Sequence, residues 1–285
     1  MRESMEAADQ GEAAGIPRVT TEEVLERLEQ ALAGWGADQG PPALATDADH
    51  TLWDGDVGFD IFEALLADRG VRSAARDALA REAESCGLAV RPEDDAPLLA
   101  EALYEEYKAG RYDEERAFGM MAWAFAGWTA AELCGFVDRV FEARALPARI
   151  RAGMRAVLAW ARERGVRVLV VSASPQLVVE RAVARMGVAA EQVTAMRPRV
   201  EAGAFRPELA APPTYGDGKV RAVERALGDG ARLIAAFGDS AYDAAMMRLA
   251  AVPVAVTPSP KLLALCDTLP GVVILEHPVA PAARG

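Results

Sequence analysis

Val166-Arg167-Val168-Leu169-Val170-Val171-Ser172-Ala173-Ser174-Pro175 decides the architecture. Apart from Arg167, the run to Val171 is aliphatic and, but for Leu169, β-branched. A strand with one wet face would alternate, so this one reads as buried on both faces, the mark of a central strand in a parallel sheet. Gly165 ends the helix before it, spanning about 148–164, and Pro175 opens the next, which runs to Met186.

Working outward, the same alternation repeats. Downstream, residues 192–207 read as a hairpin around Glu201-Ala202-Gly203, and a helix covers about 217–227. Leu233-Ile234-Ala235-Ala236-Phe237 is a further buried strand, with a helix from about Tyr242 and strands near 252–256 and 272–275. Upstream, Ala43-Leu44-Ala45-Thr46 is a short strand that ends at Asp47. Between about Val57 and Leu146 no strand is convincing. Helical periodicity instead covers roughly 58–69, 72–86, 96–109, 114–125 and 129–143. The pattern predicts an α/β fold: a Rossmann-like, doubly wound, mostly parallel sheet with an inserted all-helical cap domain. The boundaries are 1–42 for an N-terminal tail and helix, 43–56 and 147–285 for the core, and 57–146 for the cap. Residues 1–17 read as disordered. Thr20 then caps a helix with Glu23 three residues on, running to about Ala33 with an apolar face of Val24, Leu25, Leu28 and Leu32. Its expected place is against an exposed face of the core.

Composition narrows the function. The chain has 285 residues, 52% hydrophobic and 26% charged, with a formal net charge of -12. That balance argues against nucleic acid as the main partner, because phosphate backbones need clustered Lys and Arg. A small anionic substrate stays compatible if a metal supplies local positive charge. Cys86, Cys134 and Cys266 are scattered, without a CxxC pair, and read as buried small hydrophobes. His50 and His277 are the two histidines, too few for a histidine-rich metal site. No apolar run is long enough for a membrane span and the N-terminus has no secretory h-region, so the expectation is a cytoplasmic protein without membrane partners.

Polar groups gather just beyond the strands. Asp47-Ala48-Asp49-His50-Thr51-Leu52 places two carboxylates two residues apart after a buried strand. Close like charges raise a pKa unless something neutralises them, and a hard cation such as Mg²⁺ does so through oxygen ligands. Alone, the same pattern also suits an Asp-rich surface turn. Ser172 lies at the tip of the central strand, while Ser174 before Pro175 suits a helix cap. Phe237-Gly238-Asp239-Ser240-Ala241-Tyr242-Asp243 offers Asp239 as a metal ligand and Asp243 as a partner for a neighbouring amine. Gly218-Lys219 opens a helix between the second and third of these elements.

In order, DxDxT, a Ser after an apolar strand, a Lys and GDSxxD together resemble the haloacid dehalogenase-like hydrolase superfamily, in its phosphoserine phosphatase-like branch. The resemblance covers residues 43–56 and about 148–256, with 57–146 where that branch inserts its cap. It implies a phosphohydrolase with Mg²⁺ as cofactor and a small phosphorylated metabolite as substrate. Asp47 would be the nucleophile that forms an aspartyl-phosphate. Asp49 would be the acid and then the base, with its backbone carbonyl on the metal beside Asp47 and Asp239. Ser172, the backbone at Ala173 and Lys219 would hold the phosphoryl oxygens. Asp243 would position Lys219 or reach the metal through water, and Thr51 would support the Asp47 loop. Asp49 argues for phosphate esters over carbon–halogen bonds. A phosphotransferase or phosphomutase on the same core is the alternative, and a non-catalytic phospho-ligand module a further one.

Asp56 occupies the position at which that branch carries an acid for the substrate amine. The DADxTLWxxD stretch is also similar to phosphorylcholine-type phosphatases, and the aromatic-rich cap segment could hold a cation by cation–π attraction, although such rings also build a helical core. The linkers 53–58 and 143–148, with Gly55, Gly58 and Pro147, are the expected hinges of cap motion.

Overall fold

The computed structural model describes residues 15–36 and 39–276. His277 and most of the expected disordered tail, residues 1–14, lie outside them. The buried strands pair into one seven-stranded sheet with every pairing parallel. Its members are β1 (Arg18–Val19), β2 (Ala43–Thr46), β3 (Arg167–Pro175), β4 (Val193–Met196), β7 (Leu233–Gly238), β8 (Ala250–Val256) and β9 (Val273–Leu275), in the order β1-β9-β8-β7-β2-β3-β4. The chain leaves β2 towards β3 and β4, then returns across β2 to β7 and continues outward. β2 therefore sits at the reversal of winding, where open α/β sheets form a crevice at their strand C-termini.

Alternation along each strand feeds two cores. Leu44, Val168 and Val170 face Val24 and Leu28 of α1 (Thr21–Ala33) and Val157 of α8 (Ala152–Glu163). Ala43, Ala45, Leu169 and Val171 face Ala222 and Val223 of α10 (Asp217–Leu227) and Met246 and Met247 of α11 (Ala244–Met247). With both faces covered, continuous apolar strands are what burial demands.

Between β2 and β3 the chain is helical: α2 (Val57–Ala67), α3 (Arg76–Ser85), α4 (Ala96–Lys108), α5 (Glu114–Trp123), α6 (Ala130–Ala143) and the short α7 (Leu146–Arg149). Phe62, Phe125, Phe136 and Phe141 fill its interior. That interior runs into the same apolar cluster as the sheet face beneath it. No helix among the described residues is long and apolar enough to cross a membrane.

Several elements differ from expectation. Residues 15–19 are ordered: β1 adds an edge strand to β9, and the Pro17 carbonyl accepts from Ile274 N–H at 2.9 Å. Two residues carry no detectable periodicity, so only the neighbour β9 reveals them. The expected helix 148–164 is broken, because Ile150 leaves the helical region and bridges Trp53 in antiparallel fashion. Arg151 N–H donates to Leu52 O at 3.0 Å, and Asp54 N–H to Arg149 O at 3.0 Å. Arg149 also pairs with Asp60, and Arg151 with Asp54. The expected hinge at 53–58 is thus clasped to the return crossing rather than free. The expected hairpin is shorter, β5 (Pro198–Glu201) with β6 (Ala204–Leu209), and its first portion is instead β4. Its turn matches expectation: Ala202 and Gly203, both at positive φ, join the two strands. The helix expected from Tyr242 is a single turn at 241–243 followed by the four-residue α11.

Candidate active site

Side chains from four segments meet at the C-terminal edge of β2, β3 and β7. Asp47 directly follows β2, and its N–H donates to Phe237 O of β7 at 2.9 Å, which holds the chain in line with the sheet for one more residue. His50 then adopts φ +58°, a conformation His tolerates better than most residues, and turns the chain back. Its N–H closes the loop on Gly55 O at 3.0 Å. Thr51 is fully buried, with its hydroxyl 3.5 Å from Asp239 Oδ1.

Lys219 Nζ sits 2.5 Å from Asp47 Oδ1 and 2.5 Å from Asp243 Oδ1. Lys219 is 3% exposed, Asp47 6% and Asp243 0%. Asp243 is held from its other side: Oδ2 accepts from Asp239 N–H, Ser240 N–H and the Ser240 hydroxyl. Gly238 has to be glycine, because a Cβ there would lie 2.4 Å from Asp243 Cβ. The sequence spacing GDSxxD is therefore a packing requirement as well as a chemical one.

Three carboxylates face this single ammonium. Burial disfavours the charge on Lys219, but Asp243 and Asp47 outweigh it and raise its pKa. Burial, joined by repulsion from Asp243, Asp239 and Asp49, raises Asp47 well above the usual carboxylate range although Lys219 opposes it. Asp239 is pushed up to about 7, by burial first and Asp243 second. Oxygen atoms of Asp47, Asp239 and Asp243 lie within 4.8 Å of one another. An all-carboxylate set carrying surplus negative charge fits a hard divalent cation.

This crowding has a measurable consequence. A carboxyl that is harder to ionise in the folded protein than in the unfolded chain holds protons that the unfolded chain has released. The contribution of Asp239 to the stability of the metal-free protein therefore falls as pH rises from the ordinary Asp value of 3.8 to about 7. In EDTA, Asp239→Asn is expected to flatten the fall in Tm between about pH 4.5 and about pH 7.5. Equal slopes for both proteins would show that Asp239 is not strained by its neighbours.

Asp49 points elsewhere. Its Oδ1 accepts from Trp53 Nε1 at 3.0 Å and Val57 N–H at 2.7 Å, and its Oδ2 from the Ser174 hydroxyl at 2.6 Å. Its side chain is not part of the carboxylate cluster. Ser172 is buried in the C-terminal part of β3; its Oγ accepts from Ser174 N–H at 3.1 Å, and its carbonyl accepts from Thr214 Oγ1 at 2.5 Å. Ser174 does not cap α9 (Gln176–Val183): Pro175 holds the capping position, without a side-chain bond. The cap motif in the sequence concealed a hydroxyl turned sideways to Asp49.

A cavity of about 210 Å³ opens beside Asp47, Asp49, Ser172, Ala173, Lys219 and Asp239. Asp56 lines it too, and burial followed by repulsion from Asp49 raises its pKa well above normal. Its Oδ1 also accepts from Phe59 N–H at 2.8 Å, capping α2. The far wall holds Phe59, Tyr107, Phe118, Tyr215 and Tyr242 with Glu114. Tyr242 donates to Glu114 at 2.5 Å and lies against Tyr215 with ring centroids 4.3 Å apart. The aromatic residues of the helical segment thus divide between its interior and this wall. Glu114, Tyr215 and Tyr242 were not singled out by the sequence, since three scattered residues on separate elements leave no local pattern.

A family model described as haloacid dehalogenase-like hydrolase matches residues 44–248. Among solved structures, the fold is similar to a protein of unknown function from Bordetella pertussis Tohama I, with a TM-score of 0.64 and 19% identity over 83% of this chain and 98% of that one. It is also similar to a conserved protein of unknown function from Anaerococcus prevotii DSM 20548, with a TM-score of 0.62 and 14% identity over 89% and 91% of the two chains. A HAD family hydrolase from Salmonella enterica subsp. enterica serovar Typhi aligns with a TM-score of 0.50 and 15% identity over 88% of this chain and 76% of that one. A search of curated proteins finds no match.

Proposed function

Since the chain belongs to the haloacid dehalogenase-like hydrolase family, we propose that it is a magnesium-dependent phosphohydrolase acting on a small phosphomonoester through an aspartyl-phosphate at Asp47. Within the family, the motif order supports the phosphoserine phosphatase-like branch. The observation that carries this reading is the Asp47–Lys219 pair on the cavity floor, with Asp243 buried behind Lys219 and Asp239 beside it. A lone carboxylate repels a phosphate dianion; an adjacent buried ammonium offsets that repulsion. Residues 43–56 and those from 147 onward act as the catalytic core, and 57–146 as its cap.

In this reading Asp47 Oδ attacks phosphorus while the ester P–O bond breaks, and the electron pair leaves on the ester oxygen. Asp49 hands that oxygen a proton and later takes one from the water that attacks the aspartyl-phosphate. Ser172, the Ala173 backbone and Lys219 bind the transferring phosphoryl oxygens, and Asp243 orients Lys219. Asp47, Asp239 and the Asp49 carbonyl would hold Mg²⁺, with Asp243 close enough to assist. Bound there, the ion would neutralise charge on the phosphoryl group.

The wall favours a leaving group that is small and uncharged or cationic. Asp56 and Glu114 line it with aromatic rings, and Lys219, on the floor, is the one Lys or Arg among the lining residues. An amine-bearing ester fits that electrostatic pattern. Phosphate release from phosphoserine, phosphocholine, phosphoethanolamine and glucose 6-phosphate, with Mg²⁺ or EDTA, tests the reading. Turnover that EDTA stops is expected, and the amine-bearing esters should lead. If all the esters stay intact with Mg²⁺ bound, the hydrolase reading fails; preference for the sugar ester removes only the amine.

A further inference from the structure

We infer that Ser174 is a positioning residue for Asp49, and that residue 58 is glycine to leave room for its hydroxyl. The inference rests on the proposed role of Asp49 in proton transfer. The three donors on the Asp49 carboxylate come from two places in the fold. Trp53 Nε1 and Val57 N–H come from the linker into the helical segment and both meet Oδ1. Ser174 comes from the end of β3 and meets Oδ2. An N–H can only donate, so Oδ1 is committed to accepting from two fixed groups. A hydroxyl can donate or accept. Oδ2 is therefore the oxygen able to carry and pass a proton without losing its protein partner, and the Ser174 hydroxyl is what aims it.

The packing around Ser174 is specific. A Cβ on Gly58 would lie 2.4 Å from Ser174 Oγ, 3.1 Å from Asp56 Oδ1 and 3.2 Å from Ser174 Cβ. The first separation is far below contact distance, so the hydroxyl occupies the space that any other residue at 58 would need. Ser174 is 6% exposed, and Asp49 is the one side-chain partner of its hydroxyl. The N-terminal turn of α2 thus closes over the Ser174–Asp49 contact. Gly58, expected from the sequence to be a hinge, has a negative φ and serves as a slot instead.

A positioning role makes a claim that a packing role does not. Loss of aim should matter in proportion to how much the leaving group needs a proton. Phenyl phosphate and p-nitrophenyl phosphate have nearly the same shape, but the nitrophenolate leaves readily without one. Ser174→Ala is expected to lower kcat on phenyl phosphate about tenfold more than on p-nitrophenyl phosphate. Gly58→Ala should produce the same bias by displacing the hydroxyl. The double variant should show no more bias than Ser174→Ala alone, because both substitutions act through one contact. Thermal melts confirm that the variants are folded. Equal losses on both esters, or none, would overturn the inference while leaving the phosphatase reading intact. A wild type inert on both aryl esters and on the whole ester panel named above overturns that reading and the inference with it.

Discussion

Asp47→Asn is expected to abolish turnover while leaving the protein at least as stable as the wild type. The loss of the proposed nucleophile is expected to cost roughly 10⁴- to 10⁶-fold in kcat, the scale seen when a covalent catalyst loses its attacking group. Stability should move the other way. Asp47 is buried beside other carboxylates, and its raised pKa records how poorly the fold tolerates its charge. A neutral amide of the same shape removes that repulsion, and Lys219 keeps Asp243 as its partner at 2.5 Å. Phosphate release with Mg²⁺, paired with a thermal melt in EDTA, checks both halves. Residual activity within tenfold of wild type would mean that Asp47 is not the attacking group, whatever the melt shows. An active site that gains stability when its chemistry is removed is the usual mark of strain kept for function.

Lys219→Met is expected to be the most destabilising single change in the site. The Lys219 ammonium touches Asp47 and Asp243, and both acids are more than nine-tenths buried. Methionine matches the stem but brings no charge, so two buried carboxylates lose their counter-charge. Breaking a buried pair in this way costs about 3–5 kcal/mol. For a chain of this size that is a fall in Tm on the order of 10 °C. Mg²⁺ should restore part of it, because a cation held by the same carboxylates stabilises the fold it binds. In kcat the loss is roughly 10²–10³-fold, the scale for one preorganised charge near a transferring group. Melts of wild type and variant across a Mg²⁺ titration read the effect. A variant that melts with the wild type and gains nothing from Mg²⁺ would show that Lys219 does not hold the cluster together.

The two variants probe the same array from opposite sides. Removing a carboxylate relaxes it, and removing the ammonium exposes it. Opposite signs in stability with losses in both activities would fit no arrangement in which these groups are merely surface capping residues.

Much of this site was legible because its parts are local. Asp47, Ser172 and Asp239 each stand at the end of an apolar strand, and a parallel sheet brings strand ends to one edge whatever the loops do. Lys219 and Asp243 were readable only as members of an ordered set, since a lone Lys or Asp at a helix start is ordinarily solvated. Ser174 misled because its local context, a hydroxyl before Pro175, satisfies a capping pattern that the chain does not use. Glu114 and Tyr242 lie 128 residues apart, and nothing in either neighbourhood points to the other.

The sequence alone determined the strand–helix alternation, the helical insertion between β2 and β3, which carboxylates and hydroxyl stand at strand ends, and which amine opens a helix. It could do so because periodicity, glycine and proline act on neighbours along the chain. Only the tertiary structure decided that β1 closes the sheet edge, that the insertion's linkers are clasped at Trp53 and Ile150, and that Asp49 turns to Ser174 through the gap left by Gly58. Those outcomes depend on which surfaces meet across long stretches of chain, where a bond of 2.6 Å or a forbidden approach of 2.4 Å selects the partner. Spacing along the chain carries no record of such distances.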